Sequence, residues 1–263
     1  MQHGCQQRQS PAVVHASCVN STVMLKRISR RIREFWASAA LLSAEMLVIL
    51  FLFALAFAIF IYLIRNVFVL EKNSLDNGVF HYLDTHVTPQ NNSVMEFFTF
   101  LGTHTFLIPA NLALIAWFLF VKKHRWHSIK IPAVALSSLA LMFGLKHLFG
   151  RQRPTHPLLQ EAAGLSFPSG HALFSVTFYG LLIYMIYKSA YPRPLKLTLA
   201  GLLLLLIIII GLSRIYLRVH YATDVIAGFC VGFLWLVFAI AVLNRLEDFS
   251  RRKIHPERQQ MIN

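Results

Sequence analysis

The sequence predicts an all-α fold, a polytopic membrane bundle of about six transmembrane helices. Three observations predict it. The chain of 263 residues is 56% hydrophobic but only 14% charged, whereas soluble proteins carry about 25% charged residues. Mean hydropathy is +0.57, and the apolar residues fall in long runs rather than short alternating ones. At ~1.5 Å of rise per residue, runs of this length reach across a ~30 Å hydrocarbon core. Third, the charged residues are concentrated between the runs and at the two ends. Together these exclude a disordered chain and an ordinary soluble globule.

Residues 1–35 read as a polar and basic N-terminal segment. The first 23 lack the apolar core of a secretory signal peptide, and Met24 offers an alternative translation start that would leave 1–23 untranslated. A six-helix domain is expected over 36–245, and a basic cytoplasmic tail over 246–263. The first span, about 37–63, follows the basic run Lys26–Arg33. Glu45 inside it reads as an interfacial or helix-facing residue, or else as a proton or substrate site. Residues 65–92 carry Asn-Gly, Asn-Asn and Thr-Pro loop signals. The apolar segment 94–121 is interrupted at Gly102 and Thr103, as a short interfacial helix followed by a span from about His104 would be. Further spans are expected near 131–149, 169–187 (entered through Pro168), 197–212 and 221–243.

The formal net charge is +14, from 25 Lys+Arg against 11 Asp+Glu. In a soluble protein that would point to nucleic acid. Here no nucleic acid is expected, because the charge sits in the N-terminus, the loops 122–130 and 188–196, and the C-terminal tail. Six spans put those four segments on one side, and the positive-inside rule makes it the cytoplasm, with both termini there. Arg151, Arg153, Arg214 and Arg218 fall on the other side, where topology does not explain them. The three cysteines, Cys5, Cys18 and Cys230, show no metal-ligand spacing and imply no disulfide framework.

Three segments share that outer side. In the first, Lys146 and Arg153 join Arg214 of the third as permanent cations suited to a doubly charged oxyanion, since arginine presents a planar fork to phosphate oxygens. Arg151 and Arg218 between them read as headgroup contacts or snorkelling residues. In the second, Pro168-Ser169-Gly170-His171 opens a span. Ser169 suits an N-cap, Gly170 allows close backbone approach, and the helix start turns N–H donors toward an anion. His171 then lies in the first turn. In the third, His220 and Asp224 share a helical face if the last helix has begun by His220. The carboxylate would fix the ring tautomer and stabilise positive charge if the other nitrogen attacked an electrophile. Each segment taken alone has a plainer reading: a surface ion pair, lipid contacts, a capped helix.

These segments complete, in order, the patterns Lys-x6-Arg-Pro, Pro-Ser-Gly-His and Ser-Arg-x5-His-x3-Asp. In them the chain resembles the type 2 phosphatidic acid phosphatase superfamily, which includes vanadium haloperoxidases and glucose-6-phosphatases. The resemblance in span layout covers roughly residues 37–245. It implies that His220 is the nucleophile and forms a phosphohistidine, that Asp224 orients it, and that His171 protonates the leaving oxygen and then activates water. It implies that Lys146, Arg153, Arg214, Ser169 and Gly170 bind the phosphoryl oxygens, with no metal and no cofactor.

The expected function is hydrolysis of a lipid phosphomonoester or diphosphate, from the outer face of a bacterial cytoplasmic membrane. Candidate substrates are undecaprenyl diphosphate, phosphatidylglycerol phosphate, phosphatidic acid and lipid A phosphate. The partners are that substrate and membrane lipids; the sequence leaves oligomeric state open. A lipid-to-lipid phosphotransferase would use the same residues. A haloperoxidase shares the motifs but is typically soluble, and a non-catalytic lipid-binding or transport protein would not need intact His171, His220 and Asp224. His104, His147 and His156 read as helix-end or loop histidines without function, and Tyr216 and Tyr221 as interfacial aromatics.

Overall fold

The structure, a computed structural model, describes residues 44–158 and 164–254. The N-terminal segment 1–35, the Met24 start and residues 255–263 lie outside them. The described residues form eight helices and no strands: α1 (Ala44–Val69), α2 (Ser74–Asp84), α3 (Pro89–Phe100), α4 (His104–Val121), α5 (Arg125–Phe149), α6 (Gly170–Lys188), α7 (Arg193–Tyr216) and α8 (Ala222–Ile254). All but α2 and α3 are long and apolar enough to span a membrane, giving the six expected. The last turns of α1 and α4 are π-helical. The chain divides into two units, 1–52 and 53–263. The described part of the first is the exposed start of α1, with Glu45 in its first turn. Everything below concerns the second.

The structure corrects the sequence reading at several ends. Residues 65–92 are not a simple loop, because α2 occupies their middle. The short helix before the second span is α3, started by Pro89 and capped by Thr88, whose hydroxyl accepts the Asn91 N–H at 3.2 Å. A new cap at Thr103 starts α4, as the break at Gly102 and Thr103 predicts. α5 begins at Arg125 rather than 131, because the His124 side chain caps it. α7 extends beyond 197–212 at both ends, from Pro192 at its N-cap to Tyr216. α8 starts at Ala222 and carries helix through Ile254, into the segment read as a tail.

α6 is the central post, packed against α5, α7 and α8. Ile131, Val134, Leu181, Met185, Leu236 and Ala239 join α5, α6 and α8, while Leu107, Val176, Tyr179, Ile207 and Ile210 join α4, α6 and α7. Lipid tails are as apolar as leucine, so close van der Waals contact rather than water exclusion holds such helices together. Gly228 and Gly232 show how close. A Cβ on Gly228 would lie 2.6 Å from the Ser169 carbonyl oxygen, and one on Gly232 2.9 Å from that of Leu173. The small-xxx-small spacing on α8 thus seats it against the first turns of α6.

Each end of the bundle has its own polar joint. At one end Lys130 of α5, 2% exposed, donates to Asn244 and Glu247 of α8, both at 2.7 Å. Tyr184 of α6 donates to the same Asn244 oxygen, and Arg251 pairs with Glu247 at 2.6 Å. The other end holds the site. There Gly150, in the left-handed region at φ +61°, ends α5 and returns its N–H to the Lys146 carbonyl. The chain then crosses to the start of α6. Phe167, wholly buried, anchors that crossing among the rings of Phe60, Phe68 and Phe149.

Candidate active site

The start of α8 sets the first pair. Tyr221 is its N-cap, and Asp224 reaches back to accept the Tyr221 N–H at 3.0 Å, the return half of a capping box. His220 therefore precedes the helix, and the two side chains do not share a helical face as the spacing suggested. A turn brings them together instead, with the Val219 and His220 N–H groups bonded to the Arg214 carbonyl. His220 Nδ1 lies 3.6 Å from Asp224 Oδ2. Ser166 donates to that oxygen at 2.5 Å and stands 3.3 Å from the ring nitrogen.

On the ring's other side Arg153 Nη1 lies 3.3 Å from His220 Nε2, held by the Val219 carbonyl at 2.7 Å, while its Nε donates to the Gly164 carbonyl. A guanidinium can only donate. Nε2 is thus left as the lone-pair nitrogen, and the proton belongs on Nδ1, toward Asp224. Burial pushes the His220 pKa down to about 4, with Arg153 and Arg214 adding to the effect and Asp224 opposing it. The ring is neutral at pH 7, with its lone-pair nitrogen facing the Arg153 guanidinium. Burial also lowers Arg153, against the pull of Asp224.

The α6 and α7 ends complete the site. Ser169 is the N-cap of α6, as predicted, but its hydroxyl makes no cap bond. Its backbone N–H donates to the Asp224 carbonyl at 3.0 Å. Arg214 of α7, 5% exposed, donates through Nη1 to Thr99 at 2.7 Å. Arg214, His220, Arg153 and Lys146 all lie close enough to His171 to act on it electrostatically. Lys146 donates to the Leu165 carbonyl at 2.6 Å. A Cβ on Gly170 would make only ordinary contacts with Phe174 and Met142, so packing does not demand glycine there. Gly102 is more constrained, since a Cβ would press on the His171 ring at 3.1 Å.

Among the described residues, the buried side-chain polar atoms lacking a partner are Ser169 Oγ, His171 Nε2 and Arg214 Nε. All three come from the predicted site set. Leaving a buried polar group unmatched costs roughly 1–3 kcal/mol, so three such atoms on motif residues are not accounted for by packing alone.

Several residues of the site were missed or misread in the sequence. Arg151 is not a headgroup contact. Its Nη1 donates to Asp224 Oδ1 at 2.6 Å and its Nη2 to Asp76 at 2.9 Å, with the guanidinium 4.0 Å from the Tyr221 ring centre. Burial opposes its charge, but Asp224 and Asp76 overcome that and raise its pKa. Arg218 pairs with Asp84. Tyr216 is buried, and its hydroxyl ties the α2–α3 turn and the start of α3 to α7 through His86 and Asn92. Ser166 carried no signal beyond lying two residues before Pro168, and Thr99 carried none. His104, His147 and His156 are exposed, as expected of helix-end and loop histidines.

The ends of α5, α6, α7 and α8 bring these histidines and arginines together, and the comparisons with known proteins give the class, a membrane-bound phosphoric ester hydrolase. A family profile described as the PAP2 superfamily matches residues 128–248. The chain is 30% identical to phosphatidylglycerophosphatase B of Bacillus subtilis over 62% of its own length and 81% of that protein. It is 25% identical to undecaprenyl-diphosphatase BcrC of the same organism, over 59% and 80% of the two chains. The crystal structure of a transmembrane PAP2-type phosphatidylglycerolphosphate phosphatase from Bacillus subtilis superposes with a TM-score of 0.67 at 26% identity, covering 73% of this chain and 96% of that one. The chain belongs to the PAP2 superfamily and is an integral-membrane lipid phosphatase.

Proposed function

We propose that this protein hydrolyses a lipid phosphomonoester or diphosphate without a metal ion, through a phosphohistidine on His220. The observation that carries the reading is the trio of unmatched atoms on Ser169, His171 and Arg214, of which His171 and Arg214 act electrostatically on the His220 ring or feel its field. The Nε2 lone pair attacks phosphorus and the bond to the leaving oxygen breaks. His171, entering as the imidazolium that the negative charge of the bound phosphate stabilises, gives that oxygen a proton. The imidazolium left on His220 keeps its Nδ1 proton toward Asp224. Water then attacks phosphorus, His171 takes its proton, and phosphate leaves with the ring restored. Arg153, Arg214, Lys146, Ser169 and the Gly170 backbone hold the phosphoryl oxygens. Phosphoryl transfer requires placement and charge stabilisation above all, and fixed cations supply the charge here.

A lipid substrate fits the surroundings. An apolar groove of about 400 Å³ runs between α4, α5 and α6, from His104 down to Ile131. Its upper end lies two residues from Gly102, which abuts His171. The related enzymes named above act on phosphatidylglycerophosphate and undecaprenyl diphosphate, and phosphatidic acid and lipid A phosphate share the same reacting group. We place the site on the outer face of a bacterial cytoplasmic membrane, by the positive-inside reading of the basic loops.

The test is phosphate release by detergent-purified protein in excess EDTA, over a panel of lipid mono- and diphosphates, with His220→Ala alongside. Release that survives EDTA and disappears in the variant is expected. Loss of wild-type activity in EDTA, or turnover by the variant, would overturn the mechanism.

A further inference from the structure

Behind His220 stands a second layer that the three motifs do not contain. Asp76 of α2 is wholly buried and accepts three bonds: from the Thr223 N–H at 2.9 Å, the Thr223 hydroxyl at 2.8 Å and Arg151 at 2.9 Å. Every neighbour is a donor, an arrangement suited to an ionised carboxylate. Arg151 also donates to the Thr223 hydroxyl and to Asp224 Oδ1. Asp224 Oδ2 meanwhile takes Ser166 and the Tyr221 N–H and faces His220. The chain Asp76–Arg151–Asp224–His220 thus runs from a short surface helix to the nucleophilic ring.

The charges in this chain have a consequence for the reaction. Arg151 alone would neutralise Asp224, leaving nothing to balance a cationic ring. Asp76 offsets Arg151, so the group keeps one surplus negative charge beside His220. We propose that Asp76 and Arg151 are positioning residues for phosphoryl transfer: Arg151 fixes Asp224 against the ring, and Asp76 preserves the negative charge that stabilises the ring once it carries phosphate. This rests on the phosphohistidine reading above.

The groups facing His220 are Asp224 of α8, Arg153 of the 150–158 segment, Arg214 of α7 and His171 of α6, with Arg151 of the 150–158 segment, Lys146 of α5 and Asp76 of α2 one step behind. Removing the Arg151 charge makes the surroundings more negative, and removing the Asp76 charge makes them less so. The double change Asp76→Asn with Arg151→Gln restores the balance.

The experiment measures kcat, KM and the pH dependence of kcat/KM for R151Q, D76N and the double variant of the full chain, with alkaline-quench trapping of phosphoenzyme from a radiolabelled lipid phosphate. R151Q is expected to lower kcat about 10- to 100-fold with KM within about threefold, and to move the acid limb up by about one pH unit. The double variant is expected to return the limb to its wild-type position and to recover kcat relative to R151Q. A merely structural pair would give the sum of two lesions. An unmoved limb in R151Q, or additive losses in the double variant, overturns the proposal. If these variants do not fold, Thr223→Val decides: it removes one hydroxyl, and a wild-type kcat would overturn the proposal where about a 3- to 10-fold fall supports it. Absence of phosphoenzyme in the wild type would instead defeat the underlying mechanism, whereas phosphoenzyme with an unmoved limb defeats only this inference.

Discussion

The two ends of the helical bundle each bury ionic side chains, and they do so on opposite terms. At the Lys130 end the cation is matched: two oxygens at 2.7 Å, a tyrosine sharing one of them, and an arginine balancing the other. At the His220 end four cations, Lys146, Arg151, Arg153 and Arg214, meet two carboxylates, Asp76 and Asp224, and three buried atoms are unmatched. One cluster ties α5, α6 and α8 together. The other holds a field ready for a ligand, and a site preorganised for charge in a transition state is by nature strained in its absence.

The sharpest way to break the comparison is Arg214→Met. It should lower kcat/KM by on the order of 10²–10³, while the melting temperature in detergent stays level or rises, because an undersatisfied buried charge has been removed. Lys130→Met should do the reverse. Leaving Glu247 and Asn244 short of a donor should lower stability by about 1–3 kcal/mol and leave the specific activity of the folded protein intact. Equal losses of rate and stability at both positions would erase the distinction.

Next comes pH. His220 sits at about 4 in the folded protein against an ordinary 6.5. The unfolded chain therefore takes up this proton first as pH falls. The stability tied to His220 is full above about 6.5 and drains away toward 4. The acid limb of kcat/KM should lie near pH 4, and a limb near 6.5 would show a ring exposed to water. Smallest is Ser169→Ala, expected to reduce kcat by about tenfold or less with no loss of stability, since its hydroxyl makes no cap bond.

The candidate residues were easier to pick out in the sequence than the residues that support them. Lys146, Arg153, Ser169, His171, Arg214, His220 and Asp224 were readable because each lies in a short pattern of fixed spacing. Asp76, Thr99 and Ser166 were not, because nothing in local sequence says that a residue of α2 will meet the first turn of α8. Arg151 was misread for a specific reason. An arginine just past a membrane helix has a ready explanation in lipid headgroups, and only its two carboxylates, distant in the chain, displace it. Span count followed from composition, whereas helix ends depended on caps such as Thr88, Thr103 and His124, which shifted boundaries by several residues.

The bond from the Ser169 N–H to the Asp224 carbonyl joins two motifs through main chain alone, beside the glycine contact that locks α6 to α8. Bilayers differ in thickness and composition, and spanning helices answer by tilting. A weld of backbone atoms at the shared ends of two helices makes His171 and His220 travel as one body through such adjustments. The spacing between the two histidines is thereby buffered against changes in the membrane around them.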